Sequence, residues 1–384
     1  MKKIAIVHPK MNEAGGSEAR PMWLMQALQE EYDVTFVTMG EFDLEKFNSI
    51  HGTSVDPKRV RIVTLPIPRF FRKRFDAYRD IPLHRYVKRH RDDYDLFVST
   101  YNVMDFGKPG IQCIADFSFD DGIRREVDGD GTGTASLARK MYIGLSALLK
   151  GIKETGWKRN VTVVNSDWSG RIMKERFGVE SVTVYPAVRT TFPGVEWRAR
   201  RTGFVSLGRI SSEKKQDTIV SILKGVRQYM AVNLSIVGPV PDTPYAQELK
   251  NLAMENAAWV HLVGGLFGDE KVVFLPMFRY AIHGRTNEAF GIAVAELVKA
   301  GCIVWVPDGG GQTEIVDHPL LTYRDEADAV EKIVRVLGDE RLQEELCGHL
   351  AQRAEIFSAE TFMVQMRHII DAFFLQEENV AHAQ

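Results

Sequence analysis

Short β-branched runs alternate with helix-length segments along this chain, and the whole alternation occurs twice. In the first series Lys3–His8, Tyr32–Thr38, Arg61–Leu65, Leu96–Thr100, Gly110–Ala115 and Val161–Asn165 read as strands. A Gly15-Gly16 turn and the apolar-periodic segment Ser17–Glu30 follow the first of them. Runs this short, separated by helical segments, predict parallel strands joined by crossover helices. After Tyr185-Pro186-Ala187-Val188 the polar stretch Arg189–Arg201 reads as a linker. The pattern then restarts, with expected strands at Gly203–Leu207, Leu234–Val237, Trp259–Val263, Arg279–His283 and Ile303–Val306. Lys214–Tyr229, Tyr245–Asn256 and Phe290–Ala300 are expected helices, and more follow from Asp325. The expectation is an α/β chain of two doubly wound, Rossmann-like domains facing a cleft. Residues 1–188 form the first and 189–360 the second, with a last helix over 361–384 packing back on the first. Ligands of such sheets bind outside the carboxyl ends of the strands, so the loops there carry the function.

At 384 residues the chain has room for two domain cores. Its formal net charge of -2 gives no overall basicity to attract a nucleic acid. The start, Met1 to Pro9, has too short an apolar run for a signal peptide. No run of about 20 apolar residues predicts a membrane span. Cys113, Cys302 and Cys347 are far apart, odd in number and set among apolar neighbours. That usage predicts buried thiols in a reducing compartment, hence the cytoplasm.

Two stretches gather groups suited to a sugar nucleotide. Gly208-Arg209-Ile210-Ser211-Ser212-Glu213-Lys214-Lys215 follows a strand and is expected to open a helix, whose first amides and dipole favour an anion. Arg209 adds a planar fork suited to phosphate and Lys214 a point charge. The second stretch runs from His283 to Glu296. Glu288 precedes an expected helix and Glu296 lies inside it, two carboxylates able to accept from sugar and ribose hydroxyls. Gly291 permits close backbone approach, and the amides of Phe290, Gly291 and Ile292 are expected as donors. Each piece also has a plainer reading: a solvated turn, a carboxylate answering a helix dipole, a solvated helix residue.

Together the pieces resemble the retaining family 4 glycosyltransferases, which have the GT-B fold. Glu288 to Glu296 matches their E-x7-E motif, and Gly208-Arg209 with Glu213-Lys214 their G-R-x-x-x-E-K element. Gly309-Gly310-Gly311 with Glu314-Ile315-Val316 looks like their G-G-x-x-E element. Asn165-Ser166 and Tyr185-Pro186-Ala187-Val188 look like the segments before their second domain. A narrower resemblance is to the α-1,2-mannosyltransferases acting on lipid-linked oligosaccharide. It rests on His8-Pro9, Asn12, Gly15-Gly16, Glu18 and Trp23, and on Asn287-Glu288-Ala289-Phe290-Gly291-Ile292.

The resemblance implies an enzyme that moves a hexose from a nucleoside-diphosphate sugar to a glycan or lipid-linked acceptor. It implies retention of configuration through an oxocarbenium-like state, with no metal and no cofactor. The narrower match implies mannose, with GDP-mannose as donor. Arg209 and Lys214 would neutralise the diphosphate, Glu288 would bind the donor sugar and Glu296 the ribose. Gly16 would let the backbone of the first domain approach the phosphates. One departure stands out: Cys113-Ile114-Ala115-Asp116-Phe117-Ser118 puts Asp116 where family members often carry a histidine. That substitution keeps open a non-catalytic sugar-nucleotide- or glycan-binding subunit of the same fold.

Three other segments draw notice. Arg69 to Arg91 is strongly basic and interleaved with aromatics, including Arg72, Lys73, Arg74, Arg85, Lys88 and Arg89. It reads as a patch for an anionic membrane surface, with a solvated helix pair as the plainer alternative. Met141, Leu145, Leu148, Leu149 and Ile152, at helical spacing, read as core. Asp128-Gly129-Asp130-Gly131-Thr132-Gly133 imitates a calcium loop but has Arg139 where the closing carboxylate belongs, so it reads as a loop.

Overall fold

The computed structural model describes residues 1–11, 16–67, 76–128, 137–188 and 192–382. The chain divides into two compact units, the first running to Ala187 and resuming at Ala359, the second spanning Val188–Ser358.

The first unit holds β1 (Lys3–Val7), β2 (Asp33–Met39), β3 (Val60–Leu65), β4 (Leu96–Ser99), β5 (Ile111–Ile114), β6 (Val161–Val164) and β7 (Val182–Thr183). All pair in parallel in the order β3-β2-β1-β4-β5-β6-β7. On the central strand, Ile4 stands opposite Val34 on one side and Leu96 on the other. Ile4 to Val7 are all fully buried, which is why this strand reads as a continuous apolar run. The helix Ala19–Leu28 covers one face with Met22, Trp23 and Leu24. The long helix Ala359–His382 lies against it and sends Phe362, Met366, Ile370 and Phe373 into the same core. Polar contacts fix its rim: Tyr32 donates to Asp371, and Arg367 lies 3.2 Å from Glu31.

The second unit repeats the plan with β8 (Arg201–Leu207), β9 (Leu234–Val237), β10 (Val260–Gly264), β11 (Phe278–Ile282), β12 (Ile303–Pro307) and β13 (Thr322–Tyr323). The order is β10-β9-β8-β11-β12-β13, again all parallel. Both sheets therefore reverse direction of growth beside their first strand, between β1 and β4 and between β8 and β11. A reversal of this kind opens a crevice at the carboxyl ends of the two strands that flank it. Phe204, Tyr280 and Trp305, one from each of three neighbouring strands, pack with tilted rings, their centroids within 6.0 Å of one another in the core.

The structure corrects several sequence expectations. The helix expected from Lys214 spans Gln216–Val226, because Lys215 adopts a left-handed conformation (φ 50°) and ends a separate 3-10 turn, Ser212–Lys214. The helix expected from Phe290 spans Ile292–Lys299, because Gly291 at φ 99° is its N-cap. Strands β7 and β13 are two residues each, too short to leave a periodic signal. The apolar row on the helix Leu137–Lys150 is not core: Met141, Leu145, Leu148 and Leu149 are exposed. Of the basic segment, Arg69, Arg72, Lys73 and Arg74 lie outside the described residues, as does the glycine-rich loop after Asp128. No helix among the described residues is long and apolar enough to cross a membrane.

Candidate active site

The carboxyl ends of β8 and β11 bring two sequence-predicted residues together. After β8, Gly208 turns at φ 154° against Gly238, where a Cβ on Gly238 would meet the Gly208 carbonyl oxygen at 1.9 Å. Only glycine fits there, and the close approach fixes the direction of the following loop. Buried Gln216 donates to the Arg209 carbonyl at 3.0 Å and holds that loop to the next helix. The 3-10 turn then presents Lys214, whose Nζ reaches Glu288 Oε2 at 2.6 Å across 74 residues of sequence. Arg209 does not join this pair. It is exposed and lies 3.3 Å from Glu213.

Glu288 stands in a loop held on three sides. Tyr323 donates to the His283 carbonyl at 2.6 Å, at the very end of β11. Asn287 takes a left-handed conformation (φ 54°), which asparagine tolerates better than most residues. The fully buried Gln312 carboxamide then joins two loops. Its oxygen accepts from the Glu288 amide at 3.1 Å, while its nitrogen donates to the carbonyls of Arg285, Pro307 and Gly309. The Gly311 amide in turn donates to the Glu288 carbonyl at 2.7 Å. Gln312 thus fixes the backbone from which the Glu288 carboxylate projects.

The electrostatics follow from this crowding. Burial alone would raise the pKa of Glu288, but Lys214, His283 and Arg285 hold it well below the usual carboxylate range. His283 Nε2 lies 3.3 Å from Glu288 Oε2, and Arg285 Nη1 lies 3.6 Å from Oε1. Burial lowers the pKa of His283 and the two neighbouring cations add to this, while Glu288 opposes them. The site therefore holds an ionised carboxylate, an ammonium, a guanidinium and a neutral imidazole. Such a group can hold the hydroxyls of a sugar from one side and a phosphate from the other.

Glu296 lies one turn inside the Ile292–Lys299 helix and pairs with Lys271 of the helix Gly268–Phe274. It is not the solvated residue of the plainer reading. The Phe290 side chain is buried, its ring packed on Phe357 with centroids 5.5 Å apart, so it anchors the loop from below. Gly291 and Ile292 form the start of the helix beside it. The sequence reading assigned no role to His283, Arg285, Gln312 or Lys271. The first two stood inside the quoted stretch, and Gln312 directly followed the glycine triplet. Lys271 carried no signal.

In the first unit, Asp116 follows β5 and is fully engaged. It accepts from the Tyr101 hydroxyl at 3.1 Å, the Asn102 amide at 3.0 Å and the Ser118 backbone at 2.9 Å. Near the ends of β1 and β4, His8 is buried against Thr100, and burial with the nearby Arg20 guanidinium takes its pKa down to about 3. Gly16 is exposed, and Asn12 and Gly15 lie outside the described residues. No three His, Cys, Asp or Glu side chains among the described residues are grouped to hold a metal ion.

Residues 189–355, almost the whole second unit, match the family described as Glycosyl transferases group 1. Over these residues the second unit resembles a group 1 glycosyl transferase domain. Its Lys214–Glu288 pair and its Glu296 lie within the matched residues. Over 181 residues the chain is 28% identical to a GDP-Man:Man(3)GlcNAc(2)-PP-Dol alpha-1,2-mannosyltransferase of Dictyostelium discoideum. That match covers 41% of this chain and 36% of the relative, little more than a third of the relative's length. Solved structures resemble the chain in fold over nearly its whole length. Sucrose-phosphate synthase from Thermosynechococcus elongatus superposes with a TM-score of 0.75 at 15% identity, over 98% of this chain and 100% of that one. Anabaena HepE in complex with UDP-glucose gives 0.71 at 12% identity, over 97% and 100%. WaaG, a glycosyltransferase involved in lipopolysaccharide biosynthesis, gives 0.70 at 15%, over 96% and 99%. The fold is α/β of the GT-B class, two Rossmann-like domains in succession.

Proposed function

We propose that this chain is a glycosyltransferase that moves a hexose from a nucleoside-diphosphate sugar to a glycan or lipid-linked acceptor, with retention and without a metal. The observation that carries the reading is the Lys214–Glu288 pair at the strand-order reversal of a group 1 glycosyl transferase domain. The Lys214 ammonium has three donors, enough to hold both Glu288 and a phosphate oxygen. With Arg209 it offsets the negative charge that grows on the leaving diphosphate as the glycosidic bond breaks. Glu288, ionised and fixed by Gln312, accepts from a donor-sugar hydroxyl, and Glu296 accepts from the ribose. The similarity to a GDP-mannose-dependent mannosyltransferase supports mannose as the sugar and GDP as the carrier. Three free cysteines, Cys113 and Cys302 of them buried, fit a protein of the reducing cytoplasm.

The test is release of free nucleotide from a panel of nucleotide sugars in the presence of a chelator, with and without a lipid-linked glycan. GDP-mannose should be consumed fastest, and only when acceptor is present. The anomeric configuration of the product, read by NMR, should match that of the donor. A second reading, a sugar-nucleotide-binding subunit that transfers nothing, draws on Asp116, whose carboxylate is already met by three donors. Tight nucleotide binding with no turnover of any donor would favour it.

A further inference from the structure

The geometry points to the outward face of the Leu137–Lys150 helix as a docking surface for an anionic lipid bilayer. This helix has an inner and an outer face. The inner one is satisfied: Tyr142 packs on Tyr78 with ring centroids 5.0 Å apart, and Lys150 lies 2.7 Å from Asp80. Ser146 on the same side donates to the Ala77 carbonyl. The outer face carries Met141, Leu145, Leu148 and Leu149 at i, i+4, i+7 and i+8, which align on one side of an α-helix. They are 68%, 52%, 75% and 40% exposed. Single exposed apolar residues are ordinary in soluble proteins, whereas a contiguous row marks a surface that meets something else. Val182, Tyr229, Met254 and Leu375 are also exposed but stand far apart in sequence, and Val263, Phe267 and Val273 lie in the second unit.

Charge selects the occupant. The helix packs on Ile81–Arg89, and residues 76–89 with 137–153 contain eight Lys or Arg against two acids, Asp76 and Asp80. Arg85, Arg89, Lys140 and Lys153 are exposed and have no ion pair among the described residues. A second copy of the chain would bring the same cations together across a symmetric contact and be repelled. An anionic bilayer attracts them and accepts the apolar row at the headgroup–acyl boundary, where a helix of about 21 Å lies flat. The inference concerns the first unit alone and stands apart from the reading of donor chemistry in the second.

Co-sedimentation of the full chain with phosphatidylglycerol-containing vesicles and with pure phosphatidylcholine vesicles tests it. The parent should pellet with the anionic vesicles, and part of that binding should survive high salt because it is apolar. Leu145→Gln with Leu148→Gln should cut the bound fraction by about tenfold and remove the salt-resistant part. Met141→Gln with Leu148→Gln, which leaves every inward contact in place, should act in the same direction. Arg85→Glu with Arg89→Glu should shift release to lower salt. Unchanged melting curves would show that the variants fold. Parent-like pelleting of both Leu148 double variants would overturn the proposal, as would equal recovery of the parent on both vesicle types. A parent dimer that light scattering shows falling to a monomer in these variants would assign the face to a second copy and overturn it too.

Discussion

Lys214 and Arg209 are neighbours in sequence that differ in what they do before any ligand arrives. Lys214 belongs to a half-buried pair, so its removal leaves the Glu288 charge facing His283 and Arg285 without its nearest cation. Arg209 is exposed and its partner Glu213 is on the surface side of the same turn. Lys214→Ala should therefore lower folding stability by about 1–3 kcal/mol. Arg209→Ala should change it by no more than about 0.5 kcal/mol. Both should weaken nucleoside-diphosphate binding, by about 1.5–3 kcal/mol for each charged hydrogen bond lost. Thermal melts alongside calorimetry separate the two effects, and equal melting losses would contradict the division. At this scale the sequence was a partial guide. Motif spacing marks Lys214, Glu288 and Glu296 as candidates, and the first two meet in the fold. Their supports carry no such mark: Gln312 and Lys271 act only because residues 24 and 25 positions away in sequence fold against them.

Among elements, the loops after β8 and β9 show how glycine sets the site. Gly238 lets the backbone of one loop touch that of the other, and Gly208 answers it from across the gap. Gly238→Ala places a methyl group 1.9 Å from the Gly208 oxygen and 3.1 Å from the Arg209 nitrogen, so the Gly208–Lys214 loop must move. Stability should fall by about 1–3 kcal/mol, the cost of forcing a strained backbone. Nucleotide affinity should fall with it, because Arg209 and Lys214 ride on that loop. Gly178→Ala is the comparison: it also sits at positive φ, but nothing lies within 4 Å of its Cβ position. It should cost only the local backbone penalty of about 1–2 kcal/mol and leave nucleotide affinity unchanged. Matching affinity losses in the two variants would show that the effect is general destabilisation. Most of the parallel strands were legible from short β-branched apolar runs, because a strand buried on both faces reads as continuous rather than alternating. Helix starts were misplaced by two residues where Lys215 and Gly291 leave the helical region, which periodicity does not register.

On the scale of the whole molecule, the first domain is assembled from both ends of the chain. Phe362, Met366, Ile370 and Phe373 from the last helix share a core with Met22, Trp23 and Leu28. Each such side chain contributes about 1.5–3 kcal/mol when buried, and together they rival the net stability of a domain, about 5–15 kcal/mol. A chain ending at Ser358 should therefore keep a folded second domain and lose cooperative melting of the first domain. Limited proteolysis should then leave a fragment spanning Val188–Ser358 and degrade the rest, whereas two protected units would refute the dependence. The same arrangement sets an order of events on the ribosome. The core of the first domain closes only when the helix Ala359–His382, made after the whole Val188–Ser358 stretch, reaches it. Until then the Met22–Trp23–Leu28 surface is uncovered, an interval in which a chaperone has its clearest target.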